Sequence, residues 1–403
     1  MNDLNEDKLE STNIKDIKDT KDTKDTDYAT SFEDMNLKES LLRGIFGYGF
    51  EKPSEIQSKA IIPITNGRDI IAQSQSGTGK TGAFVISALQ RTDNDGRGCQ
   101  AIILVPTREL AIQIKDVCLH LGQYCKIKPV LCVGGSNIQE SRRDLDNGPV
   151  IVIGTPGRIV DMIQRRYLSV RSVRMLILDE ADEMLSPSFA SQIRGVVDQL
   201  SSTAQICLFS ATMTEQVIDI AKQIMHDPKI ILIKPEELTL EGIKQFYINV
   251  GSERYKLDTF CDIYDRISVS QSIVYVNTKR RADELKDILT YKKFTVSVIH
   301  SELSPADRTY IIKQFRSGET RILISTDLLS RGIDVQQVSI VINYDLPNNK
   351  ECYIHRIGRS GRFGRKGVAI NLVTERDFYK IRDLERSYAT TIDEMPDHIS
   401  DMI

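Results

Sequence analysis

What most limits the folding of this chain is an alternation. Beyond residue 30, short continuous runs of β-branched and apolar residues take turns with longer amphipathic stretches, and the series runs twice. The first series predicts strands over Asp69–Ala72, Ala101–Val105, Pro129–Val133, Val150–Ile153, Met175–Asp179 and Gln205–Phe209. The second predicts Phe246–Val250, Ile273–Val276, Thr295–Ile299, Arg321–Ile324, Ser339–Asn343 and Val368–Leu372. A strand that is apolar at every position is buried on both faces. With helical stretches such as Arg108–Leu121, Gly157–Arg166 and Thr214–Met225 between the runs, the pattern predicts α/β lobes built on doubly wound parallel sheets. Lys234–Gly242, with Pro235 and Gly242 near its ends and acids within, reads as a linker. The expected organisation is a polar tail over 1–30, a first lobe over 31–234, a linker over 235–242 and a second lobe over 243–403. A length of 403 residues suits two mid-sized cores.

Composition narrows the class. A chain 40% hydrophobic and 27% charged is ordinary for a globular protein. No apolar stretch reaches the roughly 18 residues of a membrane span, and the N-terminus lacks an apolar signal core. The 7 cysteines are scattered and never spaced C-x-x-C, so neither a disulfide framework nor a zinc ribbon is expected. The net charge of -3 is uneven. Residues 1–30 hold nine acids and five lysines, a balance of -4, which leaves about +1 for the rest. This tail, with Lys-Asp-Thr repeated from Lys18, is expected to be solvated and to carry no catalysis.

The chemistry concentrates first at Ser74-Gln75-Ser76-Gly77-Thr78-Gly79-Lys80-Thr81, between a predicted strand and a helix beginning near Thr81. A phosphate-cradling loop needs that context. Gly77 and Gly79 let backbone N–H groups turn toward anionic oxygens at a helix N-terminus. Lys80 supplies a charge for the β and γ phosphates, and the Thr81 hydroxyl is a candidate Mg2+ ligand. Ser74 replaces the first glycine of the usual pattern, and a small residue is expected to fit. The second concentration is Met175-Leu176-Ile177-Leu178-Asp179-Glu180-Ala181-Asp182, an apolar strand ending in carboxylates. Alone, such an end is a solvated loop or a helix cap. Beside a phosphate loop, Asp179 becomes a magnesium ligand, directly or through water, and Glu180 the base for an attacking water.

Asp179-Glu180-Ala181-Asp182 resembles the signature of the DEAD-box RNA helicases, and further motifs of that family follow in order over about residues 32–390. They are Gly49-Phe50-x-x-Pro53-x-x-Ile56-Gln57, Pro106-Thr107-Arg108-Glu109-Leu110-Ala111, Gly134-Gly135, Thr155-Pro156-Gly157-Arg158, Ser210-Ala211-Thr212, Ser325-Thr326-Asp327, Arg331-Gly332-Ile333-Asp334 and His355-Arg356-Ile357-Gly358-Arg359-Ser360-Gly361-Arg362. The resemblance implies two tandem RecA-like doubly wound domains joined by a short linker, an RNA-dependent ATPase with ATP and Mg2+ as cofactors, and a site divided between the lobes. It places Phe50 and Gln57 on adenine, although Ser54-x-x-Gln57 also fits a capping box. Gly332 and Asp334 join the ATP site. His355, Arg359 and Arg362 complete it from the second lobe, where arginines stabilise charge on the transferring phosphoryl group. Ser210 and Thr212, hydrogen-bonded to Asp182, are expected to couple hydrolysis to strand opening. Backbone contacts to RNA fall on Pro106, Thr107, Arg108, Gly135, Thr155, Pro156, Gly157, Arg158, Arg308 and Thr326. Such contacts grip phosphate and sugar without reading bases. Thr155-Pro156 and Ser304-Pro305 also read simply as helix starts.

Leu238–Phe246, Arg331–Val338, Phe363–Asn371 and Glu394-Met395-Pro396 resemble most closely the initiation-factor 4A group of that family. The implied activity is local unwinding of short RNA duplexes to prepare messenger RNA for ribosome binding. The implied protein is a cytoplasmic monomer that takes single-stranded and short duplex RNA and a scaffold protein clamping both lobes. The alternative is a nuclear clamp of the 4A-III type, in exon-junction assembly or ribosomal RNA maturation, toward which Ser74 and Ser360 lean. His300-Ser301-Glu302 departs from the family's usual His-Gly-Asp, and Ser301 is expected to fit a left-handed turn poorly.

Overall fold

The computed structural model describes residues 28–75, 77–232, 243–266, 271–329, 338–360 and 367–396. The expected linker 235–242, most of the tail, and Ser76, Gly332, Asp334 and Arg362 lie outside them.

The first lobe holds β1 (Ile70–Gln73), β2 (Ala101–Leu104), β3 (Val130–Cys132), β4 (Ile151–Gly154), β5 (Met175–Asp179), β6 (Gln205–Ser210) and β7 (Lys229–Leu232). The second holds β8 (Ile243–Gly251), β9 (Ser272–Tyr275), β10 (Val296–Ile299), β11 (Ile322–Ser325), β12 (Ile340–Asn343), β13 (Gly367–Thr374) and β14 (Asp393–Glu394). Every pairing is parallel. The orders are β3-β4-β2-β5-β6-β1-β7 and β10-β11-β9-β12-β13-β8-β14. Subtracting seven from each label of the second gives the first, so the same topology is built twice. All the predicted strands are present. Two were not read from the sequence, and both lie at sheet edges: β7, with Ile230 and Leu232 turned outward, and the two-residue β14.

Alternate residues of each strand pack into opposite cores. In the first lobe Ile70, Ile103, Ile153, Ile177 and Phe209 share one core, while Ile71, Ile102, Val152, Leu176 and Leu208 share the other. Helices cover both faces, which is why the central strands are largely apolar. The helix Arg108–Leu121 has the bounds expected for it, and Lys80–Arg91 begins one residue before Thr81. The first lobe reaches back to Ala29, which is buried and whose carbonyl accepts a hydrogen bond from the Ser58 hydroxyl. All seven cysteines are free. Ser301 does not adopt positive φ, so the feared strain is absent there. Among the described residues no helix is long and apolar enough to cross a membrane.

Candidate active site and nucleic-acid cleft

Ligands of doubly wound sheets sit at the carboxyl ends of the strands. The strand order divides those ends into two groups. β6 separates β5 from β1, so the loops leaving β1, β5 and β6 converge; the register pairs Gln73 with Ser210 and Asp179 with Phe209. On the other side of the sheet, β4 separates β3 from β2, and the loops leaving these three form a second group. The phosphate-loop, carboxylate and Ser210–Thr212 motifs occupy the first group; the candidate RNA residues of the first lobe occupy the second.

In the first group, Gly79 has φ +103° and caps the helix Lys80–Arg91. A side chain there would meet Ser54 Oγ at 2.7 Å and Gln57 Nε2 at 2.8 Å, so glycine serves both the turn and the close approach. Gln57 is buried; its Oε1 accepts the Ser54 N–H at 2.9 Å and its Nε2 donates to the Gly79 carbonyl at 3.2 Å. The capping role is thus filled, and it also fastens this motif to the phosphate loop. Phe50 is half-buried and lies 4.9 Å, edge to face, from Tyr48. The Ser74 hydroxyl bonds Thr78, whose hydroxyl also donates to the Gln75 carbonyl at 2.8 Å. Lys80 is buried and donates to the Ser74 carbonyl. Burial pulls the Lys80 ammonium down, Glu180, Asp179 and Asp182 oppose that, and Arg359 of the second lobe adds to it. Thr81 follows in the first helical turn, half-buried.

Asp179 ends β5, buried, and one of its oxygens accepts the Glu180 N–H at 3.0 Å. Burial, with Glu180 beside it, pushes the Asp179 carboxyl up to about 7 against the pull of Lys80. The Asp179 carboxylate and the Thr81 hydroxyl make an all-oxygen donor set suited to a hard cation such as Mg2+. Glu180 has φ +54°, a left-handed conformation rare for a residue with a side chain, and it turns the chain into the short helix Ala181–Met184. Its Oε2 is buried with no hydrogen-bond partner.

The second lobe closes this group. His355 Nε2 lies 3.0 Å from Asp182 Oδ2, and its Nδ1 lies 3.8 Å from Glu180 Oε2. The hydrogen bonds expected from Ser210 and Thr212 to Asp182 are present, each at 2.8 Å. Ligand atoms of Glu180, Asp182 and His355 fall within 4.8 Å of one another, as a metal site would require. Both Asp182 oxygens already accept hydroxyl hydrogens, however, which makes the cluster a hydrogen-bonded bridge between lobes. Arg359 is buried beside it and donates to the His355 carbonyl at 3.2 Å.

The second group lines a cavity of about 550 Å³ between the lobes, with Pro106, Thr107, Thr155 and Gly157 on one side and Arg308 and Leu328 on the other. Thr107 and Thr155 stand at helix N-caps, and Pro156 occupies the first turn that follows. Arg108 donates to the Gly134 carbonyl at 3.2 Å, and Arg158 donates to Ser136 and Ser141 at 2.9–3.1 Å. These arginines therefore also hold the loop after β3 in shape. Gly135, at φ +76°, faces Pro305 of the second lobe; a side chain would come within 2.8 Å of its ring. Thr326 is half-buried after β11, next to Asp327.

Two contributors were not read from the sequence. Glu109 is buried, and it pairs with Arg308 across the lobes at 3.2 Å. Arg356, fully buried, bonds Asp327 at 2.7 Å and so ties the loop of Thr326 to the helix of His355. Both residues lie inside quoted motifs, but nothing in their spacing names their partners.

The DEAD/DEAH box helicase family model matches residues 54–220, and the helicase conserved C-terminal domain matches residues 255–364. The chain is 56% identical over 373 residues, 93% of each chain, to Eukaryotic initiation factor 4A of Drosophila melanogaster. It is 55% identical, over 93% of its length and 94% of the relative, to ATP-dependent RNA helicase eIF4A of Neosartorya fischeri. The structure of S. cerevisiae Dbp5 bound to RNA and ADP BeF3 superposes with a TM-score of 0.86 at 36% identity, covering 93% of this chain and 97% of that one. With both domains matched and the divided site assembled, the chain belongs to the DEAD-box ATP-dependent RNA helicases, in their initiation-factor 4A group.

Proposed function

We propose that the protein hydrolyses ATP under the control of RNA and uses the cycle to open short RNA duplexes, preparing messenger RNA for ribosome binding. The observation that carries this reading is the bond of His355 from the second lobe to Asp182, which Ser210 and Thr212 hold from the first. Identity above half to relatives named as initiation factors supports the translation role over the nuclear clamp.

The N–H groups opening the helix Lys80–Arg91 and the Lys80 ammonium receive the phosphates. Thr81 and Asp179, directly or through water, would hold Mg2+, which when bound neutralises charge on the β and γ phosphates. Glu180, whose Oε2 is buried without a hydrogen-bond partner, accepts the proton of the attacking water. Arg359 meets the developing charge from the second lobe; the family resemblance gives Arg362 the same role and adds Gly332 and Asp334 to the nucleotide site. Phe50 and Gln57 hold the adenine. RNA lies along the cavity between the lobes, held by its backbone and without base readout. Since the ATP and RNA groups each need both lobes, each ligand favours binding of the other. A scaffold protein touching both lobes raises turnover by the same route, and the enzyme works as a cytoplasmic monomer. ATP hydrolysis with and without single-stranded RNA tests the reading: stimulation is expected, and its absence across a range of salt concentrations would refute it.

A further inference from the structure

The helix Lys350–Ile357 has two working faces. One brings His355, and Arg359 just past its end, to the first lobe. The other lies on the second sheet, where apolar contact is the rule. There, Tyr353 and Arg356, three residues apart and both fully buried, meet polar side chains instead. Arg356 donates to Asp327 Oδ1 and the Asp345 carbonyl, each at 2.7 Å, to Asn277 Oδ1 at 2.9 Å and to Asn343 Oδ1 at 3.3 Å. Asn343 donates to Asn371 Oδ1 at 2.9 Å; the two are register partners on β12 and β13. Asn371 donates to the Tyr353 hydroxyl at 3.2 Å and to the Phe246 carbonyl at 2.9 Å. Tyr353 in turn donates to Gln245 Oε1 at 2.9 Å, and Gln245 to Thr390 Oγ1 at 2.8 Å. An unbroken chain of side-chain hydrogen bonds thus crosses the lobe, from the loop of Thr326 to Thr390 beyond the last helix.

Such a network adds little net stability, since well-packed apolar side chains of similar volume serve as well or better. What it adds is direction. Apolar packing is non-directional and tolerates small shifts of a short helix, whereas fully satisfied buried hydrogen bonds fix one orientation. The two anchored residues, Tyr353 and Arg356, flank His355.

We propose that this chain is a positioning device for the hydrolysis proposed above: it sets His355 against Asp182, aims Arg359 at the phosphate loop and joins both to the RNA-side loop of Thr326. Tyr353, Asn371, Asn343 and Gln245 are positioning residues, buried within the second lobe. The inference rests on the ATPase reading, and its test separates the two. Tyr353→Phe keeps the ring and removes only the hydroxyl that Asn371 and Gln245 share. In RNA-stimulated ATP hydrolysis kcat is expected to fall about tenfold, with KM for ATP and for RNA within about twofold of wild type. In 15N-histidine NMR of the protein closed on single-stranded RNA and a non-hydrolysable ATP analogue, the His355 imidazole proton directed at Asp182 should shift or broaden in the variant. The pair Asn343→Leu/Asn371→Leu, an apolar replacement of the middle of the chain, should melt near wild type yet show the same loss of kcat. Wild-type kcat with an unchanged His355 signal in Tyr353→Phe overturns the proposal, and so does full turnover in the Leu pair. A wild type without RNA-stimulated turnover would sink the ATPase reading instead, and the His355 signal would still decide this one.

Discussion

Glu180 and Asp182 stand two apart just past the end of β5, yet their surroundings give them different work. Asp182 has both oxygens engaged by Ser210, Thr212 and His355. Glu180 keeps a buried oxygen without a hydrogen-bond partner, held there by a left-handed backbone. A group left short of a partner in a ligand site is poised to take one from the ligand, here the attacking water. Glu180→Gln preserves the shape and removes the base, so ATP turnover should fall by about 10²–10⁴ while ATP-dependent RNA binding persists. Single-turnover hydrolysis beside a filter-binding titration checks both halves; a normal hydrolysis rate would mean the base is elsewhere. At this scale the sequence was most readable where chemistry is written consecutively, as in Asp179-Glu180 and Gly79-Lys80-Thr81. It was least readable where a residue's partner lies in the other lobe. Glu109 on the first turn of a helix looks like an ordinary complement to the helix dipole, and only the fold reveals Arg308 opposite it. Gln57 shows a third case: its capping bond was legible from Ser54-x-x-Gln57, its second bond to the Gly79 carbonyl was not.

At the scale of elements, two functions share one sheet because the strand order keeps them apart. Loops after β1, β5 and β6 make the nucleotide group, and loops after β2, β3 and β4 make the RNA group. Apolar runs gave the strands away, since both faces of each sheet are buried. The edge strands escaped because that signal fails at an edge: β7 shows two of its four residues to solvent and β14 is a pair of acids. Loops are where elements of the two lobes meet, and Gly135 stands at one such place. Its φ of +76° disfavours any side chain, and an added methyl would press on Pro305. Gly135→Ala should therefore weaken ATP-dependent RNA binding about tenfold while leaving nucleotide binding, titrated without RNA, within about twofold, since the phosphate loop lies in the other group. A tenfold loss of nucleotide affinity in the absence of RNA would place the damage in the first lobe's fold rather than at the Pro305 contact.

For the whole molecule the question is what holds two equivalent lobes in one arrangement. The His355–Asp182 contact answers for the nucleotide side. On the RNA side the Glu109–Arg308 pair spans the gap, and both side chains are largely withdrawn from water, at 5% and 13% exposure. Removing one member of a withdrawn pair leaves the other charge uncompensated, at a cost of about 3–5 kcal/mol when burial is complete and less here. An RNA phosphate beside Arg308 can replace the lost carboxylate; without RNA nothing does. Glu109→Gln should therefore make closure, and with it hydrolysis, depend more heavily on RNA. Basal ATPase is expected to drop about tenfold, while the rate at saturating RNA falls less than about threefold, so the stimulation factor rises. The salt dependence of RNA binding should steepen as well, because the phosphate then carries charge compensation that Glu109 shared. A parallel loss with and without RNA would show that Glu109 supports the first lobe alone, and the two lobes would then need another tether on this side.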